Sequence, residues 1–103
     1  MRKYNKVIRD KIPKIIKESG NVCNTLTLSD EKFLIELEKK LVEELAEYQE
    51  SKDVEELADI LEVIYRISEL RGTNPDTLDK LRQNKAEKRG KFDENLFLID
   101  ADK

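Results

Sequence analysis

The sequence predicts an all-α domain: a mainly helical bundle completed by oligomerisation, with a small two-stranded β appendage. Three observations predict this class. Apolar residues recur at helical spacing through residues 30–50, 53–71 and 75–89. These stretches open on residues suited to capping a helix, and two of them close at a glycine. A chain of 103 residues, 38% hydrophobic and 42% charged, makes one domain with a modest core, and oligomerisation is a common way to add to it.

The elements follow in order. Residues 1–8 read as extended. Asp10-Lys-Ile-Pro13 opens a short helix, since proline is tolerated in a first turn, and Ser19-Gly20 ends it with a glycine at the C′ position. Residues 21–28 alternate and are β-branched enough for a short strand. Ser29 or Asp30 caps a long helix to about Glu50. Ser51-Lys-Asp53 interrupts the pattern, and Asp53 with Glu56 three residues on has capping-box spacing for a third helix. That helix runs to Arg71 and stops at Gly72. Asn74-Pro75 starts a fourth, through about Arg89 and closed by Gly90. Phe92, Leu96, Phe97, Leu98 and Ile99 suggest a second strand over 91–99.

Charge is distributed unevenly although the net is only −3, a weak argument against a nucleic-acid polymer as partner. Segment 2–17 carries seven bases against Asp10 alone, and segment 80–91 carries six against Glu87 alone. Residues 31–69 hold thirteen acids and five bases. An acidic middle between basic flanks suits a ligand that is itself a metal-bridged polyanion. Cys23 is the single cysteine, so no intrachain disulfide forms and a reducing compartment is the simpler reading. The absence of histidine removes imidazole as base and ligand. Any metal must be held mainly by oxygen, which favours Mg²⁺, Mn²⁺ or Ca²⁺ over Zn²⁺. With no secretory or membrane-length apolar run, the expected location is cytoplasmic and no membrane partner is expected.

Most helical acids are solvated. Glu36, Glu43 and Glu50 recur every seven residues, as do Glu55, Glu62 and Glu69, and both sets are assigned to solvent. Glu44 and Glu56 differ. Glu44 continues the apolar seam of Leu37, Leu41 and Tyr48; Glu56 falls on the seam of Ile60, Val63 and Ile67. An unpaired carboxylate there costs several kcal/mol or stays protonated. Glu47 and Asp59, three residues after Glu44 and Glu56, border the same faces. Two such helices side by side aim four carboxylates at one volume, which a divalent cation makes tolerable. The competing reading pairs the buried acids with Arg66 or a lysine.

Glu44-x-x-Glu47 followed by Glu56-x-x-Asp59 resembles the signature of the all-α nucleotide pyrophosphohydrolase superfamily, which includes MazG-type enzymes. Tyr4-Asn-Lys-Val-Ile-Arg-Asp-Lys-Ile-Pro13 resembles the opening of a small MazG-like subgroup often labelled phosphoribosyl-ATP pyrophosphohydrolase-like. Lys85-Ala-Glu-Lys-Arg-Gly-Lys-Phe92 resembles the end of that subgroup's last helix. In that order the motifs span nearly the whole chain. The resemblance implies one MazG-like domain over 1–103 and hydrolysis of a nucleoside triphosphate between its α and β phosphates, a house-cleaning activity. It also implies Mg²⁺, with Mn²⁺ as substitute, and a homodimer or homotetramer whose subunits build one bundle together. Two alternatives are phosphoribosyl-ATP hydrolysis in histidine synthesis and a non-catalytic oligomerisation module. The opening and ending do not closely resemble the histidine-pathway enzyme.

Within that resemblance Glu44, Glu47, Glu56 and Asp59 are the expected metal ligands, and Glu44 or Glu47 the acceptor of the water proton. Lys85, Lys88 and Arg89, spaced i, i+3 and i+4, are expected on phosphates; the alternative is a basic helix end favoured by the macrodipole. Arg9 and Lys6 are further phosphate candidates. Asn5 is a polar contact to the substrate, and Tyr4 either stacks on a base or packs on the helices. Leu34, Leu37, Leu41, Leu57, Leu61, Ile64 and Ile67 offer the apolar surface of an expected interface.

Overall fold

A computed structural model describes residues 1–102. Among them are four helices and no strand: α1 (Ile12–Glu18), α2 (Asp30–Ser51), α3 (Val54–Leu70) and α4 (Pro75–Arg89). The caps expected from sequence are present. Ser29 Oγ accepts from Lys32 N–H, Asp53 Oδ1 from Glu55 N–H and Asn74 Oδ1 from Thr77 N–H. Each side chain satisfies a donor the helix leaves open. After α3, Gly72 (φ 86°) gives its N–H to Glu69 C=O, and Thr73 N–H reaches back to Ser68 C=O at 2.8 Å. That is the Schellman pattern, whose left-handed residue glycine adopts without a Cβ penalty.

Neither expected strand forms. Residues 21–28 stay irregular, with Val22 and Leu26 exposed. In 91–99 the run is broken by a turn at Asp93-Glu94 and by Asn95 in the left-handed region (φ 57°). An alternating pattern needs a neighbouring ladder to become a strand, and this chain supplies none. The fold is therefore α only.

α2 and α3 form an antiparallel hairpin across Lys52-Asp53, with Lys52 in the left-handed conformation (φ 61°). α4 packs on α3 alone, and α1 packs on no other helix. The buried side chains are few: Leu37 and Val63 are the apolar ones, Glu44 and Ser68 the polar ones. Leu34, Leu41, Ile64 and Ile67 are half-buried. Leu57 and Leu61 stay exposed, joined by Ile35, Val42 and Leu45. Leu37 is thus spent on the chain's own core, and the apolar surface left open lies on an outer stripe. The chain measures 59 × 32 × 23 Å, and no helix is long and apolar enough to cross a membrane.

Candidate metal centre

The two-residue hinge between α2 and α3 sets the site. It returns the chain so tightly that the last turns of α2 lie beside the first turns of α3. Carboxylate oxygens of Glu44, Glu56 and Asp59 lie within 4.8 Å of one another, and so do those of Glu43, Glu44 and Glu47. Glu44 belongs to both groups and stands at the centre. The structure thus brings together all four acids singled out from sequence.

Glu44 occupies a core position and is only 6% exposed. One oxygen, Oε1, pairs with Lys40 Nζ at 3.1 Å, while Oε2 is buried with no hydrogen-bond partner. The lysine pairing is present on one oxygen only. A lysine neutralises half of the carboxylate, and the other half is an orphaned acceptor among like charges. Arg66, the other partner considered, pairs with Glu69 instead.

Three cations border the acids. Lys40 contacts Glu43 as well as Glu44, at 3.2 Å. Lys6 reaches Glu43 at 3.5 Å, and Arg9 Nη2 sits 2.7 Å from Asp59 Oδ1. Partial burial opposes the charge on Glu43, but Lys40, with Lys6 behind it, outweighs that and holds its carboxyl below the usual range. Burial likewise opposes the charge on Lys40, and its bonds to Glu44 and Glu43 more than compensate, so its ammonium is held above its usual range.

Glu47 and Glu56 have no such partner. Repulsion from Glu44, with some burial, pushes the Glu47 carboxyl up. Loss of water, then repulsion from Glu47, Asp59 and Glu44, does the same to Glu56. Glu56 is also released from the capping box its spacing suggested. Asp53 N–H donates to Ser51 Oγ at 3.1 Å, so the Glu56 carboxylate is not drawn back to the helix start.

One assignment needs correction. Glu43 is not on a solvent stripe but half-buried, paired with two lysines and part of the cluster. Heptad counting assigns it to solvent because it takes no account of Lys40 beside it or of Lys6, 37 residues away. The lysine that the sequence offers without a number is Lys40, and its i, i+3 and i, i+4 spacing to Glu43 and Glu44 is the signal that names it. Glu50, Glu55, Glu62 and Glu69 are exposed as expected, and Glu36 is half-buried.

Tyr4, Asn5 and Lys6 line a half-open groove of about 280 Å³ with Lys39, Lys40 and Glu43, so it shares a wall with the acid cluster. Arg2 and Lys6 lie 5.3 and 5.8 Å from the Tyr4 ring centroid. The Tyr4 ring thus serves as a platform for cations. Lys85, Lys88 and Arg89 are exposed on the last turns of α4, and no ion pair joins them to the acids among the described residues.

Comparison with protein-family models, curated proteins and solved structures finds no match to this chain. The donor set itself fits a hard divalent cation. It is all oxygen, carries two acids that resist ionisation beside their neighbours, and includes a buried oxygen lacking a partner.

Proposed function

We propose that the chain is a Mg²⁺-dependent nucleotide pyrophosphohydrolase that cleaves a nucleoside triphosphate to a monophosphate and pyrophosphate. The observation that carries this reading is the orphaned Oε2 of buried Glu44, surrounded by the Glu47, Glu56 and Asp59 carboxylates. An acidic cluster on a helix surface is ordinary. A carboxylate in a core position with one oxygen unsatisfied costs about 1–3 kcal/mol, and a bound cation removes that cost.

Glu44, Glu47, Glu56 and Asp59 hold the metal in this reading. A bound Mg²⁺ supplies charge neutralisation at the phosphoanhydride and orients a water in line with it. Glu47 is the better proton acceptor of the two candidates. It is exposed to solvent, whereas Glu44 is buried and tied to Lys40. Water oxygen bonds to the α phosphorus, its proton passes to Glu47, and the bond to the bridging oxygen breaks so that pyrophosphate leaves intact. Lys6 and Arg9 flank the acids and supply positive charge for the phosphates. Lys85, Lys88 and Arg89 are assigned the β and γ groups.

The same reading includes assembly. A closed 12.1 kDa fold exposes about 6,000 Å² by the usual scaling, and this chain exposes 9700 Å². Its radius of gyration is 18.0 Å, against about 13 Å for a compact domain of this length. The exposed stripe of Ile35, Val42, Leu45, Leu57 and Leu61 is the face a second copy covers. The reading assigns the chain to a dimer or tetramer of the helical hairpin.

The test is release of pyrophosphate from the natural and several damaged ribo- and deoxyribonucleoside triphosphates, with phosphoribosyl-ATP included, in ¹⁸O-labelled water. Label in the monophosphate and none in pyrophosphate is expected. Orthophosphate and a diphosphate as first products refute the bond assignment, and inertness toward the whole panel leaves the oligomerisation module.

A further inference from the structure

The five clustered acids, Glu43, Glu44, Glu47, Glu56 and Asp59, are met by three side-chain cations, Lys6, Arg9 and Lys40. These cations differ in how they are held. Lys40 stands on α2 with its side chain 17% exposed, clamped between Glu43 and Glu44. Arg9 belongs to an arm anchored differently. Among the described residues, no backbone hydrogen bond involves residues 1–8, and α1, which follows the arm, packs on no other helix. The arm meets the α2–α3 hairpin through side chains, chiefly Lys6 on Glu43 and Arg9 on Asp59.

We infer that Arg9 guards Asp59 in the free protein and passes to the polyphosphate when a metal–nucleotide complex enters. This inference rests on the metal-site reading above. Arg9 Nη2 lies 2.7 Å from Asp59 Oδ1, on a carboxylate that also belongs to the acid cluster. A guanidinium and a divalent ion compete for that carboxylate by charge. The guanidinium fork suits carboxylate and phosphate equally, so exchanging one for the other keeps its hydrogen bonds. Both ends of the Arg9–Asp59 pair are open, at 58% and 40% exposed, and nothing packed need move for the exchange. Five acids less three cations leave an excess of two negative charges, the charge of one divalent ion. The free cluster thus accepts one such ion with Arg9 in place. Full use of Asp59 waits for a nucleotide whose phosphates draw Arg9 away. Metal and nucleotide binding become coupled through this one side chain, and Arg9 is a substrate-binding residue.

The experiment measures Mn²⁺ binding by electron paramagnetic resonance on the full chain, with wild type, Arg9→Ala, Arg9→Lys and Glu44→Gln compared. It is run without nucleotide and with an α,β-methylene nucleoside triphosphate that cannot be cleaved. Without nucleotide, Arg9→Ala should bind Mn²⁺ about fivefold more tightly, the upper end for releasing an exposed ion pair. Arg9→Lys keeps the competing charge and should stay near wild type. With the analogue, Arg9→Ala should bind the Mn²⁺–nucleotide complex about tenfold more weakly, as expected for one lost charge-assisted phosphate contact. Mn²⁺ affinity in Arg9→Ala equal to or below wild type overturns the guarding role. Unchanged affinity for the complex overturns the transfer. Wild type that binds no Mn²⁺, or binds it no better than Glu44→Gln, overturns the metal-site reading and this inference with it, a pattern distinct from the other two.

Discussion

Replacing Glu44 by leucine separates the metal reading from a purely structural one. The side chain sits in the seam with Leu37 and Leu41, 6% exposed, with Oε2 unpartnered. Removing an unsatisfied buried acceptor recovers about 1–3 kcal/mol. The substitution also loses the 3.1 Å contact to Lys40, but that ammonium keeps Glu43 at 3.2 Å. It is not stranded, so the loss is that of one charge-assisted hydrogen bond, about 1.5–3 kcal/mol. Leucine adds apolar burial at a position where the helix pattern calls for it. The net expectation is a gain of about 1–2 kcal/mol in metal-free buffer, or a rise of about 4–10 °C in Tm for a domain of this size.

The assay is thermal unfolding in EDTA and again in Mg²⁺, at matched protein concentration because any assembly makes Tm depend on it. Wild type should rise in Tm on adding Mg²⁺, and Glu44→Leu should not respond while losing turnover. A Glu44→Leu protein less stable than wild type in EDTA would refute the reasoning. It would mean that the carboxylate holds the hairpin together through Lys40, and that the orphaned oxygen costs nothing.

Other expectations follow from the same geometry. Glu47, beside the Glu44 charge, and Glu56, short of water, both titrate above the ordinary carboxylate range, so the folded free protein holds these protons more tightly than the unfolded chain. Its stability from these groups is present at low pH and falls as pH rises past the ordinary glutamate value of about 4.3. Apparent Mg²⁺ affinity runs the other way, dropping as pH falls through that window with protons released on binding; calorimetry in two buffers of different ionisation enthalpy checks this, and zero proton release just above the ordinary glutamate value contradicts it. Glu56→Ala should abolish turnover, whereas Glu55→Ala and Glu62→Ala should stay within a few-fold of wild type, and equal losses at all three would sink the assignment of faces. Light scattering at micromolar concentration should give at least a dimer that Leu57→Glu or Leu61→Glu weakens; a monomeric wild type removes the assembly from the reading.

The features legible in the sequence are those set by local chemistry. Ser29, Asp53 and Asn74 cap because a short polar side chain reaches the N–H two or three residues on, a relation that needs no tertiary structure. Gly20 and Gly72 stop α1 and α3 for an equally local reason. Glu44 was legible because an acid interrupted an apolar seam. The strands were not, because alternation says nothing about whether a partner lies alongside. Glu43 was misplaced for a related reason. Its heptad spacing points to solvent, but Lys40 on its own helix and Lys6 from the distant arm both close on its carboxylate. Arg9 was picked out by its motif, but its contact with Asp59 spans 50 residues and no local pattern encodes it. Lys85, Lys88 and Arg89 share a face as their spacing requires, yet spacing does not determine what that face meets.

The hinge shows how local structure and site chemistry are joined. Asp53 and Glu56 have the spacing of a reciprocal cap, and the carboxylate of a glutamate so used would accept from the Asp53 N–H. Here Ser51 Oγ takes the Asp53 N–H instead, and Asp53 itself caps through Glu55 N–H. The start of α3 is satisfied without Glu56, whose side chain is left among acids where its charge is unfavourable. Glu44 repeats that pattern from the other helix, with one oxygen answered by Lys40 and one by nothing. A ligand at one hundred times its Kd stabilises the folded state by about 2.7 kcal/mol. That is of the same order as the cost of the orphaned acceptor, about 1–3 kcal/mol. A cation bound between Glu44 and Glu56 would therefore relieve both unfavourable positions at once, so metal occupancy and the stability of the α2–α3 hairpin should rise and fall together.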